Sequence, residues 1–247
     1  MRWLGSPVIW VAVFFVALLL GMPQLRPAFE WGFPGASPPV YERDSFFALW
    51  LSHAGLVLAA SGAAGLTGIA LAIFVTRPLG RDFRALVSTL AAIGQTFPPA
   101  AVLALTVPVL GFGPLPTVVA LFLYGLLPIV ENAIAGLEGV PPATRDAAIG
   151  MGLSPWQRLR DVELPLAAPV ILAGVRVSVT IAIGTATIGS TVGALTLGTP
   201  IFDGLAANKL PFVIQGAVLV ALFAILTDML FARLERRLLP PGTAMPG

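Results

Sequence analysis

The sequence predicts an all-α polytopic membrane protein, a bundle of about six transmembrane helices with one extended cytoplasmic loop. Three observations carry that prediction. Hydrophobic residues make up 57% of the 247-residue chain and charged residues only 11%, against roughly 25% charged in an average soluble domain. Mean hydropathy is +0.93, and apolar runs recur at lengths near the roughly 20 residues a spanning helix needs. The basic residues fall in clusters on alternate sides of those runs. A large soluble domain is excluded, and residues 1–247 read as a single transmembrane domain.

The candidate spans lie near residues 3–21, 55–75, 86–109, 115–135, 167–195 and 212–232. The first follows Met1-Arg2 and is apolar from Val8 to Leu20; lacking a small-x-small cleavage site after it, it reads as an uncleaved anchor rather than a signal peptide. The segment 22–54 carries Pro23, Pro27, Pro34, Pro38 and Pro39 with Trp31 and Trp50, which suits an ordered external loop at the membrane interface. In the second span Ser61, Gly65 and Gly68, with Gly62 beside them, form a small stripe that lets helices approach. Pro98-Pro99 and Pro108 interrupt the third, which predicts a kink or a break. Gln95, just before that break, is a candidate gate or backbone clamp.

The fourth span carries Glu131-Asn132 near its cytoplasmic end, and the sixth carries Asp228. The fifth is rich in small and hydroxylated residues, among them Thr180, Gly184, Thr185, Thr187, Gly189, Ser190, Thr191 and Gly193. Close packing or the lining of a pathway would each favour such a run, so Thr185, Thr187 and Ser190 join Gln95 as pathway candidates. Arg176, about ten residues into this span, suits snorkelling to the cytoplasm or binding a carbonyl.

Charge orients the bundle. Arg2, then Arg77, Arg81 and Arg84, then Arg145, Arg158 and Arg160, and finally Arg233, Arg236 and Arg237 fall on one side. Arg26, Arg43 and Lys209 fall on the other. Basic residues flanking spans stay in the cytoplasm, so both termini are expected inside.

Composition also removes function classes. With no cysteine there is no disulfide framework or thiolate site, and the lone histidine, His53, cannot build a multi-imidazole metal centre. Ser190 follows Gly189 without the Gly-x-Ser-x-Gly pattern of a nucleophile elbow. No phosphate-binding Gly-x-x-x-x-Gly-Lys-Ser/Thr loop is present, so no catalytic residue is assigned and the chain is not itself an ATPase. The net charge is +2 and no basic tract suggests nucleic acid.

The cytoplasmic stretch 138–165 is too long and too structured in composition for a simple connection. Pro141-Pro142 opens an Ala-rich helix over Ala143 to Met151 that Gly150 and Gly152 end. Ser154 then caps a second short helix with Pro155 at its first position. Within it stands Asp146-Ala147-Ala148, three residues, Gly152, nine residues, Val162, Glu163, Leu164-Pro165. This resembles the permease subunits of binding-protein-dependent ABC importers, whose loop carries Glu-Ala-Ala, three residues, Gly, nine residues, Ile, one residue, Leu-Pro, with Asp here for Glu and Val for Ile.

The runs Gly150 to Trp156, Val162 to Ala167 and Pro169 to Arg176 narrow the resemblance. They look like permeases of the glycine betaine, carnitine and choline (osmoprotectant) importers, as do Ile183-Gly184-Thr185-Ala186-Thr187, Gly193, Leu197-Gly198 and Pro200 to Leu205. This closer likeness covers residues 138–205.

The resemblance implies a transport subunit of the bacterial or archaeal cytoplasmic membrane. Asp146, Ala147, Ala148, Gly152, Val162, Leu164 and Pro165 would couple it to ATPase. Its partners would be two cytoplasmic ATP-binding cassette subunits, which bind ATP and Mg, a second permease copy or homologue, and an external substrate-binding protein. That last partner fits the absence of a Trp/Tyr cage within the spans, the tryptophans being Trp3, Trp10, Trp31, Trp50 and Trp156. A self-sufficient secondary transporter or channel would need central charges or a repeated half, and no repeat is found. An ABC permease for another small solute, such as an amino acid, is the nearer alternative.

Overall fold

A computed structural model describes residues 6–238. Arg2 and Trp3 therefore lie outside the described residues. Helix α1 (Pro7–Gly21) passes through one 3-10 turn, Met22–Leu25, into α2 (Arg26–Gly32). Then come α3 (Phe46–Val75), α4 (Arg84–Thr96), α5 (Pro99–Leu110) and α6 (Pro114–Glu138). The loop helices α7 (Pro142–Gly150) and α8 (Pro155–Arg158) run through a π-helical turn, Leu159–Glu163, into α9 (Leu164–Ala186). A 3-10 stretch, Thr187–Val192, then α10 (Thr199–Ala206) and α11 (Leu210–Leu238) complete the described chain, in which no strand occurs. Among the described residues five helical stretches are long and apolar enough to cross a membrane, or six if the bent pair α4 and α5 counts as one span.

Two boundaries, in the second and fifth spans, differ from the sequence expectation for definite reasons, and the expected interruption of the third span is a break. The second span starts at Phe46 rather than 55: Ser45 caps it through its hydroxyl, which accepts from the Ala48 N–H at 3.1 Å, and the polar pair Ser52-His53 conceals the extra turns from a hydropathy window. The external segment 22–54 is consequently helical at both ends, and only residues 33–45 lie outside helices. The third span breaks at Phe97-Pro98, where the two helices meet at 93°. Each of the two successive prolines pushes the residue before it into extended backbone, and Phe97 (ψ 134°) and Pro98 (ψ 139°) both adopt it. Pro108 stays inside α5.

The fifth span is α-helical only to Ala186. The Thr187 hydroxyl donates to the Gly184 carbonyl at 2.7 Å, Ser190 to Thr187 at 2.9 Å and Thr191 to Ile188 at 2.7 Å. Three such bonds to the third carbonyl back tighten the backbone into 3-10 geometry.

The chain folds into two compact units. One comprises the described residues up to Ala60, Pro98–Leu121 and Thr180–Leu230. Its core gathers Phe15 and Leu19 of α1, Leu49 of α3, Leu197 and Leu219 around Tyr41, whose ring stands edge-on to Phe212 at 5.5 Å. The Tyr41 segment is pinned to α11: Gln215 accepts the Tyr41 N–H at 3.0 Å and donates to the Pro39 carbonyl at 2.8 Å. Burial, with help from the Asp44 carboxylate to which it donates, pushes the Tyr41 hydroxyl above its usual pKa and keeps it protonated.

In the same unit His53, two turns into α3, is fully buried. Its Nδ1 accepts the Leu197 N–H at 3.2 Å, which places the proton on Nε2, 3.0 Å from the Ile183 carbonyl. That carbonyl is one of those freed where α9 ends, so the ring repairs the helix terminus in place of a backbone donor.

The other unit comprises Ser61–Phe97, Phe122–Val179 and the described residues from Phe231 onward. Its core joins Ala72 and Val75 of α3, Ala91 of α4, Val130, Ala133, Ile134 and Leu137 of α6, Leu159, and Ala167 and Ile171 of α9. Helices α6 and α9 touch at Gly174, where a Cβ would fall 2.6 Å from both the Pro128 carbonyl oxygen and the Asn132 Cβ. Only glycine fits there.

Pro128 sits inside α6 and supplies no N–H for the Tyr124 carbonyl. The Gln95 amide donates to that carbonyl at 2.7 Å. Reciprocally, the Tyr124 hydroxyl donates to the Phe97 carbonyl, freed by the break after α4. The two interruptions satisfy each other's backbone, as a low-dielectric setting requires. Arg176 pairs with Glu235 at 2.9 Å, a partner that snorkelling did not foresee.

Candidate functional site

The loop between α6 and α9 is closed by its own residues. Pro142 stands in the first turn of α7, where its missing N–H is not needed. At the other end Gly152 has φ +79°; its N–H donates to the Ile149 carbonyl at 2.9 Å and the Leu153 N–H to Ala148 at 3.2 Å. This is a complete Schellman stop. The small size of Gly152 is expected to permit close approach, but no atom lies within 4 Å of where its Cβ would stand. The left-handed backbone is what requires glycine. Gly152→Ala is therefore expected to destabilise α7 by about 1 kcal/mol, read as a lowered unfolding temperature of the purified protein with overall helix content unchanged.

After the stop, Ser154 begins a capping box. Its hydroxyl accepts the Gln157 N–H at 3.3 Å, and Gln157 Oε1 accepts the Ser154 N–H at 2.8 Å. The π-helical turn then brings Glu163 to the interior, with only 7% of its side chain exposed. Arg77 Nη2 donates to Glu163 Oε2, and Arg145 Nε lies 3.6 Å from Oε1. Arg145 also donates through Nη2 to the Leu137 carbonyl. One carboxylate thus ties the segment after α3, the helix α7 and the entry to α9.

Glu163 holds the one unspecified position between Val162 and Leu164-Pro165 in the motif, and sequence reasoning passed over it. An acid directly ahead of an apolar span, in a chain with only 12 acidic residues, is the signal that could have found it.

Among the expected coupling residues, Asp146, Ala147, Gly152 and Pro165 are exposed, Val162 and Leu164 are half-buried, and Ala148 is buried. Large apolar side chains are exposed beside them: Ile149, Met151 and Trp156 are 52%, 70% and 66% accessible. A loop at the ends of spanning helices that shows this much apolar area has the character of a contact surface. The pathway candidates divide between the units, Gln95 in the second and Thr185, Thr187 and Ser190 in the first. The polar groups of Gln95, Thr187 and Ser190 are engaged with backbone carbonyls. No group of three or more acidic or histidine side chains able to hold a metal occurs among the described residues.

A broken span, a self-closed loop carrying the Asp-Ala-Ala to Leu-Pro pattern, and helices able to cross a bilayer define a membrane component of a transport machine. The model of the binding-protein-dependent transport system inner membrane component matches residues 68–240, and the chain belongs to that family. It is the permease component of an ABC importer.

Over 227 residues it is 41% identical to the osmoprotectant import permease protein OsmY of Salmonella typhimurium, covering 92% of this chain and 94% of that protein. It is 39% identical over 183 residues to the glycine betaine/carnitine/choline transport system permease protein OpuCB of Bacillus subtilis, covering 72% and 84%. Among solved structures, an inward-facing form of the MetNI methionine ABC transporter matches at a TM-score of 0.68 with 20% identity, covering 81% of this chain and all of that one. That likeness concerns the fold.

Proposed function

We propose that this permease carries a small osmoprotectant, such as glycine betaine, choline or carnitine, inward across a bacterial or archaeal cytoplasmic membrane. The observation that carries the reading is the 41% identity to an osmoprotectant import permease over 92% of the chain. Residues 1–247 act as one permease domain. A separate external binding protein delivers the solute, a second permease copy or homologue completes the pathway, and two cytoplasmic ATP-binding cassette subunits bind ATP and Mg. The ten arginines on one side of the spans support an orientation with both termini in the cytoplasm.

Coupling runs through the loop. Closure of the ATPases pushes on α7 and α8, where Asp146, Ala147 and the exposed Ile149, Met151 and Trp156 stand. Ala148, Gly152, Val162, Leu164 and Pro165 hold that surface in shape, and Glu163 passes the push to α3 and α9. Gln95, Thr185, Thr187 and Ser190 are the pathway or gate residues, at the two places where spanning backbone leaves α-helical geometry.

The test is co-expression with the cognate ATPase and uptake of labelled glycine betaine. Asp146→Arg and Trp156→Glu are expected to leave the permease in the membrane while co-purified ATPase and uptake fall at least about tenfold. Full ATPase retention in both variants would sink the coupling assignment. Competition by an unlabelled amino acid, but not by choline or carnitine, would replace the substrate.

A further inference from the structure

Behind the coupling loop lies a cavity of about 250 Å³ whose charge is unbalanced. Arg77 and Arg81, from the segment joining α3 to α4, face Arg145 of α7 and Arg158 of α8 across it, and the acids on its wall are Glu138 and Glu163. Glu138 bonds Arg84, outside the cavity, at 2.5 Å. Glu163 is shared between Arg77 and Arg145. Arg81 and Arg158 have no acidic partner among the described residues, whereas Arg77 and Arg145 both lean on the one Glu163 carboxylate.

Four guanidinium groups around one cavity, two of them without an acidic partner among the described residues, make a receptor for a tetrahedral oxyanion. A phosphate accepts forked hydrogen bonds from several arginines at once, whereas a single carboxylate serves two. We propose that this cavity binds a phosphate group, either the headgroup phosphate of an anionic phospholipid or free inorganic phosphate. The bound anion bridges Arg77 and Arg81 to Arg145 and Arg158, and so fastens the coupling loop to the end of α3. The arginines stand where spanning helices end, the level at which headgroup phosphates lie.

The experiment uses the full-length permease purified in phosphate-free, zwitterionic detergent. Inorganic phosphate is titrated by calorimetry. Separately, protein reconstituted with phosphatidylglycerol and phosphatidylcholine in equal amounts is assayed for retained lipid by native mass spectrometry. Wild type is expected to bind one phosphate group per chain in at least one of these assays. The double variant Arg81→Ala/Arg158→Ala is expected to bind on the order of tenfold more weakly, and the corresponding double lysine variant to recover part of the loss. Arg160→Ala, on the same loop but outside the cavity, keeps wild-type binding. Glu163→Gln binds more tightly, since it removes a competing anion.

Saturable inorganic phosphate without selective lipid retention assigns a soluble ligand. Selective phosphatidylglycerol retention that phosphate does not displace assigns a lipid. The proposal fails if wild type binds neither. It fails equally if Arg160→Ala loses as much as the double variant, which would reduce the effect to overall charge. Arg158→Ala alone, a partner-free side chain, provides the same reading should the double variant not fold.

Discussion

Replacing Glu163 by alanine is expected to destabilise the folded permease by about 2 kcal/mol and to abolish ATP-driven uptake. Removing one member of a buried ion pair typically costs about 3–5 kcal/mol, because the remaining charge is left without a partner. Here the arginines retain some solvent, Arg77 being 32% and Arg145 35% exposed, which lowers the figure. The contrast lies two residues away: Asp161 pairs with Arg160 at 3.7 Å in the open, with side chains 54% and 72% exposed, and Asp161→Ala should change stability by less than about 0.5 kcal/mol. Thermal unfolding of the two variants in detergent, beside wild type, checks the pair. If Glu163→Ala unfolds with wild type, the carboxylate is not the tie between α7 and α9.

His53→Phe is expected to have an effect of similar or greater size, about 2–4 kcal/mol. It strands the Leu197 N–H and the Ile183 carbonyl together in a buried, apolar setting, at about 1–3 kcal/mol for each unmet group. Phenylalanine keeps an aromatic ring there, a larger one without polar atoms, so it is recovery in a hydrogen-bonding variant that separates the lost bonds from packing. His53→Gln supplies one donor and one acceptor and should recover part of the loss. Limited proteolysis between residues 187 and 198 gives a local readout: the Phe variant should be cut faster than wild type there. Equal cutting rates in all three proteins would exclude the brace.

Much of this molecule was legible in its letters. The loop 138–165 announces its two helices through proline, glycine and serine, residues whose local chemistry operates within three or four positions, and both helices stand where that chemistry puts them. The break at Pro98-Pro99 was legible for the same reason, and Gln95 as a backbone clamp with it.

The lapses concern long-range partners. Nothing local to His53 says that it will meet residues 130 and 144 positions away, and nothing local to Arg176 announces Glu235. Hydropathy also overruns at the fifth span, since Thr187, Ser190 and Thr191 are mild enough to pass in a window. Their hydroxyls act on backbone geometry, to which a hydropathy scale is blind. Gly152 ends its helix as the sequence suggests, through a left-handed backbone, but the close approach its small size suggests is not made.

The Schellman stop at Gly152 and the capping box at Ser154 carry a thermodynamic consequence. A connector that hangs loose until its partner arrives must be ordered during association, and each immobilised side chain subtracts from the affinity. Here the turn between α7 and α8 is already locked by bonds internal to the loop. A protein docking on Trp156 and Met151 meets a preorganised surface, and the association free energy remains available for gripping and moving the loop. Loosening either lock would weaken docking mainly through entropy, with every contact residue still in place.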